Sequence, residues 1–253
     1  MPEMTWEPAG EHLVSARAGD VALLRINRPE KLNALTPAML PDLATAIRSH
    51  AASARGLVLT GAGRAFSAGD DLDATAGLDT AGFEALIAGF QDLTRAILRT
   101  EVPVVAALNG IAVGGAAELA LACDARIGNR NASWYLPENG IGLTISNEST
   151  YLLPRLLGSR ALPMILDAGR VEADEALRLG LLTEIADDPV TRAIEVLSDW
   201  TADGRATRWH LRLLRPDIEA VEQAMVRETE AAREVFAASI ATAGAAAFGS
   251  RQR

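Results

Sequence analysis

Two glycine-rich turns carry the residues whose types and spacing are best suited to chemistry. The first covers positions 65–72 (AFSAGDDL) and the second covers positions 109–118 (NGIAVGGAAE). Each follows an apolar run typical of a buried strand, at the strand end where α/β proteins usually bind ligands. Glycine lets the backbone approach a ligand closely and turn its N–H groups outward. Two such N–H groups that converge on one carbonyl oxygen would form an oxyanion hole.

Several other catalytic signatures are excluded by spacing. The Gly61-Ala62-Gly63 segment follows a strand, but Phe66 stands where the dinucleotide fingerprint G-x-G-x-x-G needs its third glycine. Neither the phosphate-binding loop G-x-x-x-x-G-K-[ST] nor the hydrolase elbow G-x-S-x-G occurs. The three histidines are scattered and Cys123 is the only cysteine, so we expect no disulfide and no metal site.

Hydrophobic periodicity predicts the elements that must position the two turns. The runs HLVSAR and VALLRI predict a β-hairpin, while GLVLTG and VPVVAAL predict the buried strands that precede the turns. Thr36 and Pro37 are typical of the N-cap and first residue of a helix. A second helix is expected to bury one face, which comprises Phe83, Leu86, Ile87, Phe90, Leu93 and Ile97.

The remaining chain completes an α/β pattern. A helix begins at Gly115 and runs through Glu118, and short strands are expected around Ala125 and Ser133. The last third is predicted to be helical, with breaks at Gly158, Gly180, Gly204 and Pro216. Strands alternate with helices before that point, so the fold class is α/β with appended helices.

Composition excludes some partners. The 253 residues carry a net charge of −9, which opposes nonspecific binding to nucleic acid or to an anionic membrane. Positions 102–123 are apolar over a membrane-spanning length, but Pro103, Glu118 and the central glycines predict a buried strand, a turn and a helix instead. With one cysteine and no apolar leader at the start of the sequence, we expect a cytoplasmic protein.

Five segments in register resemble the enoyl-CoA hydratase/isomerase (crotonase) superfamily. They are NRPEKLNAL, GRAFSAGDDL, VPVVAALNGIAVGGAAELALACD, LPENGIGL and ADEALRLGLL, and they run from about Arg25 to Leu182. The resemblance implies a spiral of ββα units and a helical C-terminal trimerisation region. It divides the chain into a spiral core over residues 1–200 and a helical region over residues 201–253. It also implies acyl-CoA thioester substrates and a homotrimer or a dimer of trimers, with no cofactor beyond the CoA of the substrate.

The resemblance assigns roles to individual residues. The backbone N–H groups of Asp70 and Gly115 would form the oxyanion hole, and Glu118 and Glu138 match the two catalytic glutamates of the hydratases. Two carboxylates that face one buried site have pKa values that split, so one can act as base and the other as acid. Residues implied to bind substrate are Arg28, Lys31, Leu32, Ala68, Asp71, Leu72, Ile111, Gly114, Pro137, Ile141 and Ser146.

Both glutamates also have ordinary structural explanations. Glu118 lies in the first turn of its helix, where the helix dipole favours an acidic residue. Glu138 lies in the segment Pro137-Glu138-Asn139-Gly140, which is typical of a polar turn. The match of both positions to the family favours catalysis.

Four features depart from the family pattern. Asp70 occupies the first oxyanion position, where the family often has a small or apolar residue. An inward Asp70 carboxylate would repel an enolate by ~3 kcal/mol at ~5 Å, so we expect this side chain to point away from the site. Family hydratases usually carry Lys where Asp73 stands, near the CoA phosphates. Their P-G-A-G-G-T-Q-R run is replaced at positions 145–152 by ISNESTYL, and the C-terminal match AFGSRQR is shortened.

The leading functional prediction is syn hydration of a trans-2-enoyl-CoA to a 3-hydroxyacyl-CoA by Glu118 and Glu138. Double-bond isomerisation in the same pocket, a specialised thioester reaction, and a catalytically silent acyl-CoA-binding subunit are the alternatives. A trimer is expected because an apolar stripe on the last helix would otherwise be exposed. Its members are Ile218, Val221, Met225 and Val235.

Overall fold

A computed structural model describes residues 4–238, and the structure is discussed within that range. The strands are β1 (Glu7–Gly10), β2 (Leu13–Ala18), β3 (Val21–Ile26), β4 (Gly56–Gly61), β5 (Ala65–Ser67), β6 (Val104–Leu108), β7 (Ile111–Val113), β8 (Ala125–Gly128), β9 (Ser133–Tyr135), β10 (Arg170–Glu172) and β11 (Glu184–Ile185). The helices are α1 (Met39–Ala52), α2 (Leu72–Thr75), α3 (Thr80–Leu98), α4 (Gly115–Leu121), α5 (Ser149–Leu157), α6 (Ala161–Asp167), α7 (Ala173–Leu179), α8 (Pro189–Trp200), α9 (Thr207–Leu214) and α10 (Ile218–Ala237).

Successive pairs of strands followed by helices build the core. In the pairs β4/β5, β6/β7 and β8/β9 the first strand enters a seven-stranded sheet of order β1-β2-β3-β4-β6-β8-β11, and the second enters a four-stranded sheet of order β10-β9-β7-β5. The strands β4, β6 and β8 pair in parallel, as do β5, β7 and β9. This arrangement confirms the α/β fold class and the spiral of ββα units.

The larger sheet is covered on both faces, which explains why its central strands are apolar at nearly every position. One face packs against α1, α3 and α4 in the main hydrophobic cluster. The other face packs against α8, through residues such as Ala193 and Leu197. A parallel strand buried on both faces gives a continuous apolar run, as GLVLTG and VPVVAAL do. Both strand predictions are therefore confirmed, as is the antiparallel β2–β3 hairpin.

The structure confirms the predicted buried face of α3 and corrects the predicted start of α1. The predicted face of α3 is confirmed, since Leu86, Phe90 and Leu93 on that face are buried. The start of α1 is corrected: the helix begins at Met39, two residues after Pro37. Thr36 still caps the segment, because its Oγ1 accepts a hydrogen bond from Met39 N at 3.3 Å. Pro37 and Ala38 form a turn between the cap and the first helical residue, and Ala38 already has right-handed helical dihedrals (φ −69°, ψ −32°).

Part of the apolar stripe that was predicted to be exposed on the last helix is instead buried within the chain. Val221 and Met225 are fully buried within the chain, because α10 packs against α3 and α5. Their burial satisfies these side chains without a partner subunit, so this argument for a trimer is wrong. The division of the chain at residue 200 stays a prediction, and the C-terminal AFGSRQR match lies outside the described residues. Within residues 4–238, no helix is long and apolar enough to cross a membrane.

Candidate active site

A cavity of about 460 Å³ lies where the two glycine-rich turns meet the helices α3, α4 and α10. The turn after β5 contributes Ala68 and Asp70, and the turn after β7 contributes Gly114 and Gly115. Glu118 enters from α4. The strand ends therefore bring the chemically interesting segments to one place, as the parallel pairing of β5 with β7 requires.

The two turns touch each other in a way that only glycine permits. Gly69 has a φ of +77°, and a Cβ there would lie 2.5 Å from the carbonyl oxygen of Val113 and 3.6 Å from Gly115 N. The backbone N–H groups of Asp70 and Gly115 make no hydrogen bond to another described residue. Gly115 begins α4, so its N–H lacks an intrahelical acceptor and lies at the positive end of the helix dipole. The geometry suits an oxyanion hole.

Glu118 is a buried carboxylate with backbone hydrogen bonds. It is 2% exposed, and its Oε1 accepts hydrogen bonds from Ser146 N at 3.1 Å and from Asn147 N at 3.3 Å. Burial raises the pKa of Glu118 to about 7, and the nearby Glu228 carboxyl adds to the rise. The two N–H donors oppose it, because they stabilise the ionised form. Glu118 can therefore change protonation state near neutral pH.

Glu138 lies beside the second glycine turn with one oxygen unpaired. A Cβ on Gly114 would lie 3.1 Å from Glu138 Oε1, and Oε2 is buried with no hydrogen-bond partner in the described structure. The residue begins a short 3-10 helix, Glu138–Ile141, and is 7% exposed. Burial raises the pKa of Glu138 well above its ordinary value, and the carboxyls of Glu118 and Asp70 raise it further. Both effects favour the protonated acid over the carboxylate.

Asp70 lies beside the two glutamates, and the predicted outward orientation of its side chain stays a prediction. The residue lines the cavity, its Oδ1 is buried with no hydrogen-bond partner among the described residues, and its carboxyl raises the pKa of Glu138. Burial, followed by the neighbouring Asp71, raises the pKa of Asp70 to about 7. Repulsion of an enolate requires an ionised carboxylate, so protonation removes the conflict that motivated the expectation.

The loop that holds Glu118 is anchored by the C-terminal helix. Glu228 on α10 accepts hydrogen bonds from Glu148 N and Thr150 N, each at 2.8 Å, and from Thr150 Oγ1 at 2.5 Å. Gln91 on α3 donates to Ser146 O at 3.0 Å. These contacts fix the backbone of the segment whose N–H groups reach Glu118.

Most of the predicted site residues share this cavity. Those that line it are Leu32, Ala68, Asp70, Leu72, Ile111, Gly114, Gly115, Glu118, Pro137, Glu138, Ile141 and Ser146. Arg28, Lys31 and Asp71 do not line it. Arg28 forms an ion pair with Asp71, and Lys31 Nζ lies 2.9 Å from a carboxylate oxygen of Asp73. The three residues thus form charged contacts outside the cavity wall.

Ten residues that line the cavity were not predicted from the sequence. They are Phe83, Leu86, Ile87, Phe90, Val113, Tyr135, Leu143, Thr144, Arg170 and Ala232. The α3 members were predicted as a buried helix face, and that periodicity does not separate core from cavity wall. Within residues 4–238, no group of three or more His, Cys, Asp or Glu side chains is arranged to hold a metal ion.

The family model of enoyl-CoA hydratase/isomerase matches residues 16–249. The chain belongs to the enoyl-CoA hydratase/isomerase family. It is 40% identical over 171 residues to a probable enoyl-CoA hydratase of Rhodobacter capsulatus, with 66% of each chain covered. It is 37% identical over 182 residues to a crotonyl-CoA hydratase of Syntrophomonas wolfei, with 70% of each covered.

Solved structures of this family share the fold. An enoyl-CoA hydratase/isomerase from Pseudoalteromonas atlantica is 29% identical, with a TM-score of 0.84 and coverage of 95% of this chain and 97% of that one. An enoyl-CoA hydratase/isomerase from Mycobacterium paratuberculosis is 27% identical, with the same TM-score and coverage of 94% and 97%. The resemblance found in the sequence is thereby confirmed.

One position shows how this enoyl-CoA hydratase/isomerase family member departs from the hydratase glycine run. Glu148 stands at the second glycine of that run and has a φ of +57°, in the left-handed region that favours glycine. A non-glycine residue there costs roughly 1–2 kcal/mol. Its carboxyl is fully buried, and Asn147, with its amide nitrogen turned toward it, donates to Glu148 Oε2 at 2.9 Å. Position 148 therefore has a backbone conformation that favours glycine, although the residue there is glutamate.

Proposed function

We propose that this protein adds water to trans-2-enoyl-CoA thioesters and forms 3-hydroxyacyl-CoA products. The observation that carries the proposal is the meeting, in one cavity, of two buried carboxyls with two backbone N–H groups that have no partner among residues 4–238. Hydration requires one group to take a proton from water and another to supply a proton to carbon. Glu118 and Glu138 are the pair that this cavity offers. The relative named crotonyl-CoA hydratase supports the same reaction.

Glu118 is inferred to be the general base. Two N–H groups donate to its Oε1, which favours the carboxylate form and leaves Oε2 to hold a water. The carboxylate takes a proton from that water as the hydroxyl oxygen bonds to C3. A pKa of about 7 matches a base that works near neutral pH.

Glu138 is inferred to be the general acid. Its Oε2 is buried without a partner among the described residues, and burial raises its pKa, which favours the protonated form that a general acid needs. That proton goes to C2 when the π electrons of the double bond, displaced toward the thioester oxygen, return to carbon. Glu118 then holds the proton taken from water, and transfer between the two carboxyls restores the starting state. Because both carboxyls enter the cavity together, we infer that the two additions are syn.

The thioester oxygen is inferred to bind the Asp70 and Gly115 N–H groups. Negative charge develops on this oxygen in the enolate, and fixed donors in a buried site stabilise it without reorganisation. In known cases the loss of one such donor lowers the rate by about 10²–10³-fold. The mechanism requires no cofactor beyond the CoA of the substrate.

Turnover of crotonyl-CoA tests the proposal. The absorbance of the conjugated thioester is expected to fall as 3-hydroxybutyryl-CoA accumulates, with the product identified by mass. A catalytically silent subunit would bind the thioester without that change. Deuterium exchange from D₂O into a 3-enoyl-CoA, with no hydroxyacyl product, would instead establish an isomerase that needs only one of the two glutamates.

A further inference from the structure

One face of α3 forms an apolar wall of the cavity that extends over two helical turns. The members that line the cavity are Phe83, Leu86, Ile87 and Phe90. Residues three or four positions apart share one side of a helix, so these side chains point in the same direction. Burying the amides of a CoA arm against such a wall would cost their hydrogen bonds with water, whereas an alkyl chain has none to lose. The α3 wall therefore suits the acyl chain of a thioester.

The inner end of this wall lies beside the oxyanion hole. A Cβ on Gly115 would lie 2.7 Å from Cε1 of Phe90, so the Phe90 ring packs directly against the first residue of α4. The N–H of that residue is one of the two donors inferred to bind the thioester oxygen. Because an α-helix rises about 1.5 Å per residue, Phe83 lies about 10 Å further along the wall than Phe90.

The outer end of the wall is marked by a stacked pair of aromatic rings from α3 and α10. The ring centroids of Phe83 and Phe236 lie 4.5 Å apart, and the ring planes are inclined by 13°. Phe236 follows Ala232, which also lines the cavity, by one turn of α10. Beside the stacked pair, Arg233 Nε donates to Glu84 Oε1 at 2.6 Å. Two adjacent contacts thus hold the Phe83 ring between α10 and the cavity.

We propose that the stacked rings of Phe83 and Phe236 set an upper limit on acyl chain length, so that the enzyme accepts straight 2-enoyl-CoA thioesters of up to about eight carbons and discriminates against longer ones. Carbon–carbon bonds of about 1.5 Å at angles of about 111° advance an extended chain by about 1.25 Å each. About eight bonds therefore span the distance from Phe90 to Phe83. This inference rests on the proposed function, since it starts the acyl chain at the oxyanion hole.

The test measures kcat/KM for crotonyl-CoA and for the trans-2-enoyl thioesters of the hexenoyl, octenoyl and decenoyl chains. Each additional methylene up to the octenoyl chain is expected to raise kcat/KM about 4-fold, because it is buried on the apolar wall. The decenoyl chain meets the Phe83 ring. Its kcat/KM is therefore expected to be at least about 10-fold below that of the octenoyl thioester, as is usual for overpacking.

Substitutions of Phe83 should move the limit in both directions. Phe83→Ala removes the ring and is expected to raise the decenoyl-to-octenoyl ratio of kcat/KM by about 10-fold or more. Phe83→Trp enlarges the ring system and is expected to lower the octenoyl-to-hexenoyl ratio by about 10-fold. Each ratio compares two substrates in one protein, so a general loss of stability or activity does not change it.

The control is Leu162→Ala, which shortens an exposed side chain of α6 that does not line the cavity and should leave both ratios unchanged. Equal hydration of the decenoyl and octenoyl thioesters by the unaltered enzyme, or an unchanged ratio in Phe83→Ala, overturns the inference and leaves the proposed function intact. Failure of the unaltered enzyme to hydrate any of the thioesters overturns the proposed function itself. If Phe83→Ala does not fold, Phe83→Leu, whose side chain is apolar but shorter, and Phe83→Trp decide the question.

Discussion

Glu118 and Glu138 have the same side chain and share a cavity, but Glu118 accepts hydrogen bonds from two N–H groups of a distant segment, whereas Glu138 Oε2 is buried with no partner among the described residues. This difference assigns the base role to Glu118 and the acid role to Glu138. Each substitution by Gln keeps size and hydrogen bonding but ends proton transfer. We therefore expect Glu118→Gln and Glu138→Gln each to lower kcat by about 10²–10⁴-fold in hydration of crotonyl-CoA.

The exposed Glu230 on α10 provides a matched Glu→Gln control, which should have unaltered kcat. A near-normal rate for Glu118→Gln, with only Glu138→Gln inactive, would contradict the two-carboxyl mechanism. It would favour the isomerase alternative, because moving one proton between two carbons can be done by a single carboxyl.

The buried Glu118 carboxyl also makes folding stability depend on pH. Its pKa is about 7 in the folded protein against an ordinary value of 4.5. Between these pH values the unfolded chain releases a proton that the folded protein keeps, so stability present below pH 4.5 is lost as the pH rises to about 7. The loss is roughly 3 kcal/mol.

Glu118→Gln cannot ionise, so it should avoid this loss. We expect the variant to have a larger free energy of unfolding than the unaltered protein above neutral pH, by up to roughly 3 kcal/mol, and an equal one in mild acid. Urea titrations at the two pH values measure both quantities. An equal difference at both pH values would show that the substitution acts through packing alone.

The segment from Ser146 to Thr150 depends on α10 for its conformation. Glu228 accepts three hydrogen bonds from this segment, and the segment in turn donates two to Glu118. Glu228→Ala would leave the buried Glu148 N–H without its acceptor, at about 1–3 kcal/mol, and would remove both hydrogen bonds from Thr150. We expect a lower Tm and a reduced kcat, with KM for acyl-CoA changed less.

Glu228→Gln should recover much of the Tm, because its amide oxygen can still accept hydrogen bonds. Glu219→Ala, at an exposed position of the same helix, should change stability little. An unchanged kcat in a folded Glu228→Ala protein would show that the loop keeps its position without this anchor.

The sequence predicted the fold best where the burial of a single strand or helix determines its hydrophobic periodicity. The buried strands β4 and β6 and the face of α3 followed from periodicity, because burial on both faces or on one helical stripe leaves a local record. The strands β7 and β10 have three residues each, too few to show a period. Val221 was assigned to a partner because the packing of α10 against α3, which joins distant parts of the chain, leaves no local pattern.

The same difference between local patterns and distant contacts applies to the residues of the candidate site. The glycine turns were found from residue type and spacing, while Glu118 and Glu138 each had an adequate local explanation as a helix-end acid or a polar turn. Resemblance to the family decided between these explanations. The burial of the Asp70 carboxyl and the anchor from Glu228 depend on contacts between distant segments, and no local pattern predicts them.

The net charge of −9 bears on how an anionic CoA thioester can be bound. Lys31 is half exposed and paired with Asp73, which stands where family hydratases usually carry Lys. We expect Asp73→Lys to free Lys31 and lower KM for crotonyl-CoA several-fold at low salt, since each exposed charge contributes about 0.2–1 kcal/mol. The gain should shrink as salt increases.

Asp203→Lys makes the same charge change at a surface position far along the chain and serves as the control. An equal effect of both variants would show that only the net charge matters. An unchanged KM in Asp73→Lys would place the CoA phosphates away from Lys31.

Exposed apolar side chains on α9 predict how the whole molecule associates. Trp209, Leu213 and Leu214 are 62%, 76% and 78% exposed, and no residue of this helix is buried. Contiguous apolar surface of this kind marks an interaction site. Because the apolar stripe of α10 is buried within the chain, the exposed face of α9 replaces it as the expected contact between copies, in keeping with the trimer that the family resemblance implies.

Light scattering should give about three times 26.7 kDa, or a multiple of that trimer mass. The double variant Leu213→Glu with Leu214→Glu should shift the mass toward 26.7 kDa, because charge opposes burial of this surface. Leu177→Glu on α7 is the matched control and should keep the larger mass. A monomer in the unaltered protein at micromolar concentration would contradict the prediction, and an unchanged mass in the double variant would move the interface away from α9.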